Sequence, residues 1–133
     1  MQTSRWTGLD RVVELEPGKR ACGFRNIPNT LSILDSHFPR MPVLPGVLML
    51  GSMGELAAVL LRDHTNRSWR LAGADQVRFR HFVQPGDQLE LEVELKDVSD
   101  SAAVLSATAR VEGKVMVTVR RLRMAPVADR ANS

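Results

Sequence analysis

His37 heads a proline-rich stretch, Ser36-His37-Phe38-Pro39-Arg40-Met41-Pro42-Val43-Leu44-Pro45-Gly46-Val47. Imidazole titrates near neutrality, so it can take or give a proton at physiological pH. The prolines at 39, 42 and 45 fix φ and keep the chain off helix and sheet ladders, which predicts a rigid loop. Gly46-Val47 then opens a long apolar helix pattern. A helix start offers unpaired backbone N–H groups and a partial positive charge. An imidazole held there makes a candidate acid–base site with its own anion stabiliser. The plainer reading of His37 is a loop histidine that bonds a backbone carbonyl.

The other reactive side chains read as structural. His64 follows Arg62-Asp63 and is most simply the C-terminal cap of the helix. His81 falls on the apolar parity of a strand and is expected to be packed and satisfied. Cys22 is the only cysteine, which excludes an intrachain disulfide and a multi-cysteine metal site. In an apparent strand it is expected to be a buried, inert thiol.

These side chains need elements to position them. Leu9 to Glu16, Pro17-Gly18 and Lys19 to Asn26 read as strand, turn and strand. Ile27 to Pro45 is irregular, and a loop of that length in a small domain is usually functional. Val47, Leu50, Met53, Gly54, Ala57, Ala58 and Leu61 recur at helical spacing, with apolar residues filling most places between. A helix apolar nearly all round is buried nearly all round, by a sheet or by a partner subunit. Strands follow. Val77, Phe79, His81 and Val83 alternate with arginines and Phe82, and Pro85-Gly86-Asp87 makes a turn. Leu89, Leu91, Val93 and Leu95 alternate with Glu90, Glu92, Glu94 and Lys96. Ala103 to Val111, a tight turn at Glu112-Gly113, and the alternation of Val115, Val117 and Val119 complete the set. The class is α+β: a curved antiparallel sheet of five or six strands around one central helix. Such a sheet leaves edges and a helix flank to be covered, so a dimer is expected.

At 133 residues the chain makes one domain, expected over 1–126, with a disordered tail from 127 to 133. Apolar residues are 44% and charged residues 25%, as in a water-soluble globular protein, and no run is long enough for a membrane span. The first ten residues lack the apolar core of a signal peptide, so a cytoplasmic location is expected. The net charge is +3, carried in the second half by Arg70, Arg78, Arg80, Arg110, Arg120, Arg121 and Arg123. These form either a solvated sheet face or a patch for an acidic or phosphorylated partner. With no tyrosine and no basic stripe interleaved with aromatics, nucleic acid is not the expected partner.

From about Asp10 to Arg123 the chain resembles the FabZ-type 3-hydroxyacyl-(acyl-carrier-protein) dehydratases, which have the hot-dog fold. Asp10 to Lys19 is similar to that family's opening hairpin. His37-Phe38-Pro39, Pro42 and Pro45-Gly46-Val47-Leu48 are similar to its active-site loop. Val77-Arg78-Phe79-Arg80 with Pro85-Gly86-Asp87-Gln88-Leu89 is similar to its signature strand pair. The resemblance implies a homodimer or a trimer of dimers, no metal and no diffusible cofactor. It also implies a substrate carried as a thioester on the phosphopantetheine arm of acyl carrier protein. The reaction would remove water from a (3R)-3-hydroxyacyl thioester to give the trans-2-enoyl thioester, in fatty-acid, polyketide or related lipid synthesis. His37 would take the C2 proton, and the N–H groups of Gly46 and Val47 would stabilise the charge gathering on the thioester oxygen. Leu44, Met49, Leu50 and Met53 would line the acyl tunnel.

Two positions depart from the family. Arg40 stands where the family has glycine after His-Phe-Pro. Gly51 stands where the family has a carboxylate, five residues past Gly46 on the helix. Glu55 comes one turn later, about 6 Å along the axis on the same face. It could act as a substitute acid, its pKa raised if buried among apolar neighbours, or it could bond a structural partner. Otherwise a second chain in a heterodimer supplies the carboxylate, or the chain is a repurposed thioester binder. Each helix glycine, Gly51 and Gly54, costs about 1 kcal/mol against alanine. That cost points to close packing or a widened pocket. A non-catalytic acyl-binding subunit and a hot-dog thioesterase stay open as alternatives.

Overall fold

The computed structural model describes residues 9–27, 46–81, 83–84 and 86–128. The segment carrying His37 and Leu44 and the last five residues lie outside them. Strands β1 (Arg11–Glu16) and β2 (Arg20–Asn26) form a hairpin, and α1 (Gly46–Thr65) follows. Strands β3 (Trp69–Phe79), β4 (Gln88–Val98), β5 (Ala103–Val111) and β6 (Lys114–Pro126) complete the chain. All pairings are antiparallel, and the six strands lie in the order β1-β2-β4-β5-β6-β3.

Strand alternation gives this sheet two chemically distinct faces. One row of partners runs Leu15, Ala21, Val93, Ala107, Val119, Val77, apolar from edge to edge. The next row runs Glu14, Cys22, Glu92, Thr108, Thr118, Arg78. The apolar face closes on α1. Met53, Leu56, Ala57, Leu60 and Leu61 are fully buried there with Leu89, Leu91, Leu105 and Leu122. Burying each leucine stabilises the fold by about 1.5–3 kcal/mol. The α+β architecture, the opening hairpin, the alternation of β4 and the Glu112-Gly113 turn match the sequence reading. That turn has φ of 51° and 82°, both left-handed, as a two-residue hairpin turn requires.

Contacts between β2 and α1 fix their relative direction. A Cβ at Gly18 would lie 3.2 Å from the His64 ring and one at Gly23 would lie 3.4 Å from Leu56, while Arg25 bonds Ser52. β2 therefore runs against the helix and ends beside its first turns.

Three element ends need correction. The helix runs four residues past Leu61, so that His64 lies in its last turn as expected and the chain leaves the helix at Asn66. Asn66 adopts φ 60°, and its N–H bonds the Arg62 carbonyl at 2.8 Å, which is the left-handed stop usually given to glycine. His81 is exposed, because β3 ends at Phe79. β3 also begins at Trp69, well before Val77. Ala72-Gly73-Ala74 has weak strand propensity, and a register shift at Leu71/Gly73 with a left-handed Gln76 breaks the alternation.

Cys22 is buried on the outer side of β2. Burial pushes its thiol pKa up, against the opposing pull of Arg20, whose Nη2 lies 3.0 Å from the sulfur. It is the inert thiol expected. Glu92, between Arg20 and Arg110, feels burial that would raise its pKa. The hydrogen bonds and charges of the two arginines outweigh that and hold it below the usual carboxylate range.

Candidate active site

The helix start predicted at Gly46-Val47 is present, with α1 beginning at Gly46. Its first turn holds no acidic side chain, so no carboxylate of α1 offsets the partial positive charge there. Three turns of the buried face carry Met49, Met53 and Leu56 inward, and Leu50 packs at the core's margin. Three of the four predicted tunnel residues therefore sit together between helix and sheet; Leu44 lies outside the described residues. So does His37.

Two glycines on α1 have opposite surroundings. A Cβ at Gly54 would come within 3.1 Å of the Leu71 Cβ, so this glycine lets β3 approach the helix. A Cβ at Gly51 would meet none of the described residues within 4 Å. Among the described residues, nothing fills the place of the family's carboxylate.

Glu55 is half-buried. With Ala58, Val59, Arg62, Ser68 and Trp69 it lines a shallow cavity of about 200 Å³. Arg62 Nη1 donates to Ser68 Oγ at 2.7 Å, and Trp69 Nε1 donates to Thr65 Oγ1 at 2.8 Å, which ties the far wall of that cavity together. Gly51, Glu55, Ala58, Val59 and Arg62 form a stripe of α1 that the described strands do not fully bury.

Arg25 was missed from the sequence. It shares the inward parity of Ala21 and Gly23 on β2, and a cation on an apolar parity was the readable signal. Its Nη1 donates to Ser52 Oγ at 3.0 Å, and Ser52 is fully buried beside Gly51. A guanidinium is thereby held against the buried side of the first turns of α1. Among the described residues no cluster of three His, Cys, Asp or Glu side chains is placed to hold a metal ion, and no helix is long and apolar enough to cross a membrane.

The FabA-like domain family matches residues 4–120, most of the chain. The chain belongs to that family. Its curated relatives include dehydratases of the FabZ type. The 3-hydroxyacyl-(acyl-carrier-protein) dehydratase FabZ of Geobacillus thermodenitrificans is 40% identical over 111 residues, spanning 81% of this chain and 77% of the relative. That of Bacillus cereus is 41% identical over 111 residues, spanning 80% and 76%. Solved structures place this FabA-like chain among hot-dog proteins. A chain of the dehydratase heterocomplex ApeI:P from Xenorhabdus doucetiae superposes with a TM-score of 0.76 at 16% identity, over 96% of this chain and 88% of that one. The fluoroacetyl-CoA thioesterase FlK superposes with a TM-score of 0.70 at 14% identity, over 86% and 90%. At such identities only the fold is shared, and the fold hosts both elimination and hydrolysis. The FabZ-type assignment comes from the sequence relatives.

Proposed function

We propose that the chain is a FabZ-type dehydratase acting on a (3R)-3-hydroxyacyl thioester held on the phosphopantetheine arm of acyl carrier protein. The observation that carries this reading is identity of 40–41% to curated FabZ dehydratases over 111 residues. His37 accepts the proton from C2. The electron pair of that bond becomes the C2–C3 π bond, and the C3–O bond breaks. The hydroxyl leaves as water once it receives a proton. N–H groups of Gly46 and Val47 stabilise the thioester oxygen while it carries charge. The same helix start without an acidic first turn supports that role. The residues that act are those of the protein, with no diffusible cofactor.

Glu55 is the acid of this chain that we assign to protonating the leaving hydroxyl. It lies one turn beyond Gly51, where the described residues leave room for a bridging water. A second reading draws support from the same room: a partner chain inserts its own carboxylate against the half-exposed stripe of Gly51 and Glu55. In either reading the working unit has two subunits. The 11-residue strand β3 ends the sheet, and Phe79 at its tip is 54% exposed, which suits pairing with a second copy.

Hydration of an enoyl thioester, the reverse reaction, tests the scheme. His37→Ala abolishes it, and activity surviving that change would sink the mechanism. Glu55→Gln should lower turnover by about 10²–10⁴-fold, the usual contribution of a general acid. Unchanged turnover in that variant removes Glu55 and leaves the partner-supplied carboxylate. Release of free thiol in place of hydration would identify a thioesterase. Saturable carrier binding without any turnover would identify a binding subunit.

A further inference from the structure

Arg25 puts a charge on the apolar face of the sheet. Its partner across the ladder is Leu89, which is fully buried, so both side chains face α1. Arg25 Nη1 donates to Ser52 Oγ at 3.0 Å, and Ser52 is fully buried in the second turn of α1. A guanidinium has five N–H donors, and among the described residues this is the hydrogen bond it makes. No carboxylate of the described residues lies within ion-pair distance of it. Neither β2 nor the first turn of α1 contains an acid. The acids of the neighbouring segments are turned to other tasks. Asp10 accepts from the Asn26 N–H, and Asp87 accepts from the Gln84 N–H. Glu90 stands opposite Phe24, and therefore on the other face of the sheet.

Folding gives little reason for a cation here. The start of a helix already carries a partial positive charge, and arginine is stabilising at the opposite end. An apolar side chain at position 25 would fill the same place without desolvating a charge. Ser52 lies six positions past Gly46, which is about 9 Å along the axis. Met49 and Met53, on either side of Ser52 in the helix, are both buried. A charge beside such packed apolar side chains is screened little by water or salt, so its field reaches the helix start. The bond to Ser52 fixes the guanidinium in advance. No reorganisation is then needed when a negative charge forms at the helix start.

We infer that Arg25, held by Ser52, is a positioning residue that acts through the helix start: its fixed charge adds to that of the first N–H groups of α1 and stabilises the negative charge gathering on the thioester oxygen. It does this from beneath the helix, without touching the substrate. The inference rests on the dehydratase reading, in which that oxygen becomes enolate-like beside Gly46 and Val47. The neutral substrate carries no such charge. The gain is therefore confined to the transition state, and kcat depends on Arg25 while KM does not.

The test compares the full wild-type chain with Arg25→Met/Ser52→Ala, which replaces the polar pair by an apolar one, and with Arg25→Lys, which keeps the charge. The probe is acetoacetyl-N-acetylcysteamine, a thioester whose C2 proton titrates in water and whose enolate absorbs in the near ultraviolet. Binding at the helix start of the wild type should enrich the enolate. The double variant should lower the bound enolate-to-keto ratio by about tenfold, the effect of one charge at about 10 Å with an effective dielectric constant of about 20. Arg25→Lys should restore most of the ratio, and added salt should change it little. In enoyl thioester hydration, kcat should fall by a similar factor with less than about a twofold change in KM. The Tm of the double variant should hold or rise, because removing both partners leaves neither one buried and unpaired. If the double variant does not fold, Arg25→Gln, which is neutral and can still donate to Ser52, gives the same reading. An unchanged enolate ratio in the neutral variants, with or without a fall in Tm, makes the pair structural and overturns the inference. So does a wild type that does not enrich the enolate. A wild type that enriches the enolate but hydrates no enoyl thioester overturns the dehydratase reading alone, and the enolate ratio still decides the role of Arg25.

Discussion

The two sides of α1 follow different rules. Toward the sheet, Met53, Leu56, Ala57, Leu60 and Leu61 have no measurable exposure, and Gly54 lies against Leu71 with no room for a larger side chain. On the other side, Gly51, Glu55, Ala58 and Val59 are half-buried, and none of the described residues lies over Gly51. The first side holds the fold together and tolerates little. The second is not needed to close the core, so its residues can change without unfolding the protein. A family carboxylate can be lost at position 51, and a charge can appear at position 55, on the side where chemistry and not packing sets the constraint.

The largest effect should come from breaking the packed side. Leu60→Ala should destabilise the protein by about 2–5 kcal/mol, the range for deleting a fully buried leucine side chain. Denaturant unfolding measures this, and a loss under about 1 kcal/mol would mean that the helix is not the centre of the core. A smaller loss, about 1–3 kcal/mol, should follow Gly54→Val, because the new side chain must displace Leu71 or move β3. Should Gly54→Val leave stability unchanged, the close approach of helix and strand has been misread.

The packed side was also the legible side. The three- and four-residue spacing from Val47 to Leu61 and the strict alternation of Leu89 to Leu95 report burial directly, because burial is what produces such periods. β3 was half lost for the converse reason: Ala72, Gly73 and Ala74 carry little apolar signal, and a bulge shifts the parity. The polar end of the helix was legible only to within about a turn because no glycine marks it; Asn66 performs that task and is harder to recognise. Of the site, the helix start and the missing carboxylate were readable from motif order. Arg25 was not, since its meaning depends on Ser52 lying across from it, a contact between residues 27 positions apart. The arginines of the second half were readable as a solvated face or a patch, but not which of them meet. Arg78 and Arg120 are 42 positions apart in sequence, and only the pairing of β3 with β6 brings them over one cleft.

The smallest effect has the opposite sign. Gly51→Ala adds a methyl group where none of the described residues lies within 4 Å and removes backbone freedom from the unfolded chain. It should therefore stabilise the protein by up to about 1 kcal/mol, read as a rise in Tm of a few degrees. The same alanine at a packed position would lower Tm, so the sign alone separates the two sides of α1. A fall in Tm would mean that the space over Gly51 is filled in solution, as the partner reading requires when a second subunit presses against this stripe. Turnover gives the second half of the answer. If Gly51→Ala is both more stable and as active as the wild type, the missing carboxylate left an unused gap. If it is more stable but slower, the gap is occupied during the reaction, by substrate or by the water that serves Glu55. The glycine is then kept for function at a cost in stability.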